Sequence, residues 1–305
     1  MMDLTNKIFT DENAARKHLE GLLWADGPVC PHCGTVDEAT KLKGKSTRPG
    51  VYKCRACSKP FSVTVGTVLE RSKIPLNKWV MAFYLLNSSK KGISAHQMHR
   101  MLGVTYKTAW FMMHRVREAM RQISAGGMGG QNKVVEVDET YVGGKAKNAK
   151  RGAPIPRKEP VISLLERDGQ VRSFHVPAVS RNTLRPILVT QIDRKSYLMT
   201  DEAGVYKKVG KEYAGHGSVN HSIEEYVRGT FWHTNTVEGY FSILKRGITG
   251  VYQHVSQQHL KRYLGEFDFR YNFRHVTDSE RTDEAFRGIV GKRITYRRTN
   301  ESALA

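Results

Sequence analysis

Four cysteines, the whole cysteine content of the chain, stand as Cys30-x-x-Cys33 and Cys54-x-x-Cys57, with twenty residues between the pairs. Each C-x-x-C places two thiolates on one tight turn, and the intervening stretch lets a short hairpin bring the turns together around one tetrahedral zinc ion. Pro31 and Gly34 suit the first turn, and Arg55 lies in the second. Four sulfurs leave no open position for water, so the expected Zn2+ is structural. Four free thiols or two disulfides are the alternatives, and two tight pairs with no stray cysteine argue against both.

The remaining composition points to a polyanion. Lys and Arg number 49 against 29 Asp and Glu, a formal net charge of +20. An excess of that size spread over several domains favours nucleic acid as partner. A basic membrane-surface protein is the competitor, but no apolar run is long enough to span a bilayer, and no apolar leader opens the chain. With no cysteine left for disulfides, a reducing, cytoplasmic compartment is expected. The 305 residues are 39% hydrophobic, enough for about two or three domains.

Periodicity and punctuation divide the chain into an N-terminal helix (1–27), a zinc ribbon (28–70), three helices (75–122), a glycine-rich linker (123–132), an α/β domain (133–275) and a C-terminal tail (276–305). Asp11 is placed to cap the first helix. In the ribbon, 52–54 and 61–65 alternate like strands. Pro75 starts the first of the three helices, Ser94 caps the second with Gln97 three residues on, Gly103 ends it, and Thr105 caps the third. A helix, a turn around glycine and a second helix make the helix-turn-helix pattern. Tyr106, Lys107, Thr108 and Arg115 on its second helix are the candidate DNA-binding residues. An ordinary helical bundle is the alternative.

In the α/β half, strands are expected over 133–137, 161–166, 171–176 and 197–200. Asp168-Gly169 marks a hairpin, Ser180 caps a helix, Thr234 caps another through Arg246, and a further helix covers about 257–271. Lys145, Lys147, Lys150, Arg151, Arg157 and Lys158 cluster in a segment expected as a mobile loop. Strand, hairpin, helix, strand and helices together imply a mixed sheet.

The chemistry is expected from acids at the ends of those strands. Asp138 follows the first strand, Asp201 follows a later one, and Glu238 lies 37 positions on, one turn into a helix. Strand ends in such sheets form the rim where active sites lie. Two aspartates and a glutamate converging there would suit two Mg2+ or Mn2+ ions, which clamp the attacking and leaving oxygens of an in-line phosphoryl displacement. Without metal the carboxylates repel one another. Taken singly, each acid has an ordinary role as turn cap or first-turn helix residue. Glu139 and Glu202 directly follow the aspartates, and strand alternation ranks them lower. Asn235, Glu238 and Lys245 lie at i, i+3 and i+10, so Glu238 and Lys245 share a helix face. His233 and His254 are more ordinary structural histidines near the same block.

Three blocks carry a resemblance: Val135-Glu-Val-Asp-Glu-Thr-Tyr-Val-Gly-Gly144, Tyr197-Leu-Met-Thr-Asp201, and the long His233-Thr-Asn-Thr-Val-Glu-Gly-Tyr-Phe-Ser-Ile-Leu-Lys-Arg-Gly247. With Phe267-Asp-Phe-Arg-Tyr-Asn272, the chain from about 10 to 290 resembles bacterial insertion-sequence DDE transposases with an N-terminal zinc ribbon. The resemblance implies a multidomain α+β protein: zinc ribbon, helix-turn-helix, then an RNase H-like catalytic domain. It also implies binding of element ends and metal-dependent DNA cleavage and strand transfer, with double-stranded DNA as partner and a dimer or larger assembly pairing two ends. By motif match Asp138 and Asp201 are the two aspartates. Relatives vary at the third position, so Asn235 and Glu238 both stand as candidates; Glu238 is favoured because a carboxylate binds a divalent cation better than an amide and Lys245 follows seven residues on. A nuclease that cuts without joining, a non-catalytic DNA-binding regulator, and a tyrosine recombinase using Tyr141 are the rival readings.

Overall fold

The computed structural model describes residues 4–122, 126–143, 158–201, 203–219 and 233–295. Contacts divide the chain into two compact units, 1–122 with 275–305, and 123–274. Among the described residues no helix is long and apolar enough to cross a membrane.

The first unit opens with helix α1 (Glu12–Leu23), whose first turn is capped by the Asp11 carboxylate accepting from the Asn13 N–H. The ribbon follows as an antiparallel three-stranded sheet, β1 (Ala39–Lys41), β2 (Tyr52–Cys54) and β3 (Pro60–Phe61). The expected strand over 61–65 stops at Phe61, and the chain then turns. Trp24, Tyr52 and Phe61 pack edge-on and stacked beside the cysteines, at centroid distances of 5.3–5.9 Å. A zinc module this small has little other core.

Helix α2 (Leu76–Ser88) begins directly after Pro75, and its apolar face buries Trp79, Val80, Phe83 and Leu86. Helix α3 (Ala95–Leu102) is capped by Ser94 Oγ, which accepts from the Gln97 N–H, and ends on Gly103 in the left-handed conformation (φ 59°). Thr105 then caps α4 (Tyr106–Met120). A three-residue turn with glycine at its start joins α3 to α4.

The expected C-terminal tail contains a helix instead. Helix α9 (Asp278–Arg287) carries a full capping box: Thr277 accepts from the Glu280 N–H, and the Glu280 carboxylate accepts from Thr277. Its Phe286 is fully buried and stacks on Phe83 at 4.1 Å. Six charged residues in ten positions (Asp278, Glu280, Arg281, Asp283, Glu284, Arg287) mask the short apolar stripe in the sequence.

The second unit is built on a five-stranded mixed sheet in the order β6-β5-β4-β7-β8: β4 (Val134–Val142), β5 (Glu159–Glu166), β6 (Val171–His175), β7 (Tyr197–Asp201) and β8 (Gly215–Val219). β4, β5 and β6 form an antiparallel meander, while β7 and β8 add in parallel to the other edge of β4. This is the mixed sheet expected of the α/β half. Helix α5 (Arg181–Gln191), capped by Ser180, and short α6 (Tyr206–Val209) cover one face; their core includes Val135, Val137, Ile162, Leu164, Leu198 and Tyr206. Helices α7 (Asn235–Gly247) and α8 (Gln257–Asn272) cover the other, over Val142, Val161, Leu165 and Val171. Within the expected linker, Met128 is already part of this core, its N–H donating to the Gln191 carbonyl.

β8 is absent from the sequence-based reading. It has the composition Gly-His-Gly-Ser-Val, which carries no strand signal. The glycine at its start has a steric reason: a Cβ at Gly215 would stand 2.7 Å from the Tyr197 ring on β7. The loop expected over the basic residues 145–157, and the rival acid Glu202, lie outside the described residues.

Candidate active site

The four cysteines meet as expected. The Sγ atoms of Cys30 and Cys57 are 3.7 Å apart, those of Cys33 and Cys54 are 3.6 Å apart, and all four lie within 4.8 Å of one another. Sulfurs about 2.3 Å from a tetrahedral zinc ion are separated by about 3.8 Å, so the set fits a structural zinc. The Thr35 side chain, 3.2 Å from Cys33 Sγ, holds that thiol down at about 6, toward the thiolate a metal needs.

In the second unit, parallel pairing of β4 with β7 runs from Val134–Tyr197 to Glu136–Met199 and stops. Asp138 and Asp201 each lie two residues beyond that last pair. β4 itself continues to Val142 against β5, so Asp138 does not end its strand, contrary to the expectation from the sequence; it marks where the neighbouring strand departs. Period-two alternation assigns both aspartates to the α7 face: Glu136, two residues before Asp138, bonds to α7, whereas Leu198 packs beneath α5. Carboxylate oxygens of Asp138, Glu139 and Asp201 lie within 4.8 Å of one another.

Glu139 is the departure from the alternation argument. Beyond Glu136 the β7 side of β4 is open, and the Glu139 N–H there is taken up by the Asp138 carboxylate at 2.7 Å. The Glu139 carboxylate accepts from the Tyr206 hydroxyl on the α5/α6 face and still reaches the two aspartates. At an unpaired strand edge, opposite faces are not separated by a neighbouring strand, and alternation no longer keeps consecutive side chains apart.

Burial pushes the Asp138 carboxyl up to about 7; the Glu139 N–H opposes the shift, and the charges of Glu139, Asp201 and Glu238 add to it. Glu139 is raised by burial, with the Tyr206 hydroxyl opposing and Asp201 adding. Crowded, partly buried carboxylates raise one another's cost of ionisation, which a divalent cation would relieve.

Helix α7 brings the third block to the same face. Glu238 lies outside the 4.8 Å cluster, yet its charge acts on Asp138; its Oε1 accepts from Thr234 Oγ1 at 2.9 Å. Asn235 and Lys245 are exposed on α7. Thr234 does not cap the helix with its side chain. The cap comes from β4. Glu136, fully buried, accepts from the N–H groups of Thr236 and Val237 and from Thr236 Oγ1, each at 3.0 Å, and pairs with Arg167 at 2.6 Å. Arg167 also donates to the His233 carbonyl at 2.8 Å, and His233 Nδ1 lies 3.3 Å from Glu136. Sequence reasoning missed Glu136, although a glutamate amid four valines and an aspartate at a buried strand position is itself the signal of a paired charge. His254 and Tyr141 are exposed.

The closing helix α8 binds the β6 edge. Asp268 accepts from the Ser173 N–H and Oγ, and the Asn272 amide bonds both Val171 backbone groups, at 2.6–3.1 Å. These side chains satisfy an edge that would otherwise offer unpaired backbone.

Of the candidate DNA-binding residues in the first unit, Lys107, Thr108 and Arg115 line one cavity, and Tyr106 is exposed and stacks on His96 at 4.3 Å.

Residues 129–272 match the family described as the ISXO2-like transposase domain, and residues 10–60 match the transposase zinc-ribbon domain. A protein described as an uncharacterized protein in transposable element ISH50, from Halobacterium salinarum, is 28% identical over 288 residues, spanning 87% of this chain and 92% of that protein. Among solved structures, the Mos1 transposase paired-end complex with left transposon end is 13% identical, covering 72% of this chain and 77% of that one, with a TM-score of 0.27.

Two outcomes follow from the site. Glu136→Gln leaves Arg167 without its counter-charge; it is expected to cost about 3 kcal/mol in denaturant unfolding and to speed hydrogen exchange at Thr236 and Val237. In buffer without added divalent cation, folded Asp138 holds its proton up to about pH 7, whereas the unfolded chain releases it near 4. The folded state therefore binds more protons between those values, and the contribution of Asp138 to stability falls as pH rises through that window. Thermal melts are expected to show Asp138→Asn gaining several degrees on the wild type between pH 5 and 8; a gap independent of pH contradicts this.

Proposed function

The chain belongs to the family of insertion-sequence transposases that join a zinc ribbon to an ISXO2-like transposase domain, and from that premise we propose that it binds the terminal inverted repeats of its element and catalyses metal-dependent DNA cleavage and strand transfer. The observation that carries the reading is the convergence of Asp138 and Asp201 where β7 leaves β4.

In this reading Asp138, Asp201 and Glu238 would hold two Mg2+ or Mn2+ ions, with Asn235 as the alternative third ligand. Bound there, the ions would neutralise developing charge on the attacking and leaving oxygens of an in-line phosphoryl displacement. The chain's own groups set the geometry. Glu136 fixes the start of α7 and so the direction from which Glu238 approaches the aspartates. Tyr206 engages one Glu139 oxygen. Lys245, two turns beyond Glu238 on α7, reaches a neighbouring DNA phosphate. Water hydrolyses a phosphodiester at the element end, leaving a 3′-hydroxyl; that hydroxyl then attacks a target phosphodiester, one bond forming as another breaks.

End recognition belongs to the first unit. The net charge of +20 supports phosphate binding, and the first turn of α4, with Tyr106 and Lys107 exposed, suits contact with base edges and the neighbouring phosphates. Joining two ends requires two active sites, so a dimer or larger assembly acts on DNA in the cytoplasm, at the nucleoid.

With Mg2+ and labelled DNA carrying the element's own ends, the wild type is expected to yield cut and joined products. Asp138→Asn and Asp201→Asn are expected to retain end binding and lose cleavage and joining by about a thousandfold or more. Transfer retained by either variant removes that residue from the site. Cutting without joining marks a nuclease, and binding without cutting a regulator.

A further inference from the structure

The first unit holds a cavity of about 300 Å³, open to solvent, between α4 and the segment leading into α2. Its floor is apolar, with Trp79, Phe111 and Met112; its cations are Arg71, Lys73, Lys107 and Arg115. On α4, Lys107, Phe111 and Arg115 recur every four residues, so one helix face supplies cations at both ends of the cavity and an aromatic ring between them.

Arg115 is the informative member. Its guanidinium lies over the Phe111 ring at 4.8 Å and near Trp79 at 6.0 Å. Among the described residues its guanidinium makes one hydrogen bond, from Nη1 to the Glu70 carbonyl oxygen at 3.3 Å, and its buried Nε has no partner. The Glu70 carboxylate pairs instead with Arg71 at 3.7 Å and Arg293 at 3.8 Å. Burial lowers the Arg115 pKa, and the charge of Arg293 adds to that, against the opposing charge of Glu70. Lys73 and Lys107 are exposed and have no hydrogen-bond or ion-pair partner among the described residues. A half-buried cation with an unused donor, flanked by two unpaired lysines, is a site built for an anion.

We propose that this cavity seats one backbone phosphodiester of the element-end DNA, its phosphate on Arg115 and Lys107 and its deoxyribose against Phe111 and Trp79. An inorganic anion would leave the aromatic floor unused, whereas a phosphodiester brings the charge and an apolar sugar together. The seat anchors the duplex backbone beside the first turn of α4 and so sets the register in which Tyr106 and Thr108 meet base edges. This rests on the reading of the protein as an end-binding transposase.

The test uses full-length, zinc-loaded protein and duplexes carrying the element end, with a neutral methylphosphonate replacing each phosphate in turn, read by fluorescence anisotropy. One position is expected to weaken wild-type binding on the order of tenfold. At that position Arg115→Gln is expected to lose little more, and Lys107→Gln to lose less than the wild type does; each variant lowers the salt dependence of binding by about one phosphate contact. Equal losses in wild type and both variants at every position overturn the inference while leaving end binding intact. Lys107 is exposed, so its variant reads the coupling even where Arg115→Gln does not fold. Wild-type protein that does not prefer element ends over scrambled DNA overturns both the inference and the reading beneath it.

Discussion

The candidate active site depends on a strand register that ends. β7 pairs with β4 in parallel only as far as Glu136 and Met199, and the next residues on the same face of each strand are Asp138 and Asp201. A parallel pair that continued would leave the two carboxylates held in a ladder. Because it parts there, they face one another across an opening that one or two cations could fill. The three residues at the parting, Glu136, Asp138 and Glu139, divide the work between sheet and helix: Glu136 ties α7 down, Asp138 looks toward Asp201, and Glu139 leans on Tyr206 from the far side.

A buried carboxylate at the start of a helix is favourable for two reasons that act together. The amides of Thr236 and Val237 would otherwise lack partners in a buried setting, and Arg167 supplies the opposite charge. The result is a fixed angle of entry for the helix that carries Glu238. An α7 capped only by its own Thr234 could pivot, and Thr234 is instead occupied with Glu238.

Much of this was legible in the chain. Four cysteines in two close pairs specify a zinc knuckle because few other arrangements satisfy four thiolates at that spacing. Ser94, Gly103, Thr105 and Ser180 mark helix ends because capping is local chemistry, decided within four residues. Asp138 and Asp201 stand out because acids at the ends of apolar runs are costly without a purpose. What escaped the sequence was set by residues far apart. β8 is a strand because Tyr197 accepts a glycine beside it, which no feature of Gly215–Val219 announces. The helix of α9 hides its Phe286 among charges, and its reason to fold is Phe83, about two hundred positions earlier. Glu139 broke the alternation rule because the rule assumes a neighbouring strand that is not there. The cap on α7 comes from a residue a hundred positions upstream.

The most direct measurement is a crystal structure of the full chain grown with Mn2+, with anomalous difference maps recorded at the manganese edge. One or two manganese peaks are expected against the Asp138 and Asp201 carboxylates, with Glu238 turned toward them from α7. Manganese bound elsewhere, or the two aspartates facing away from a common centre, would contradict this.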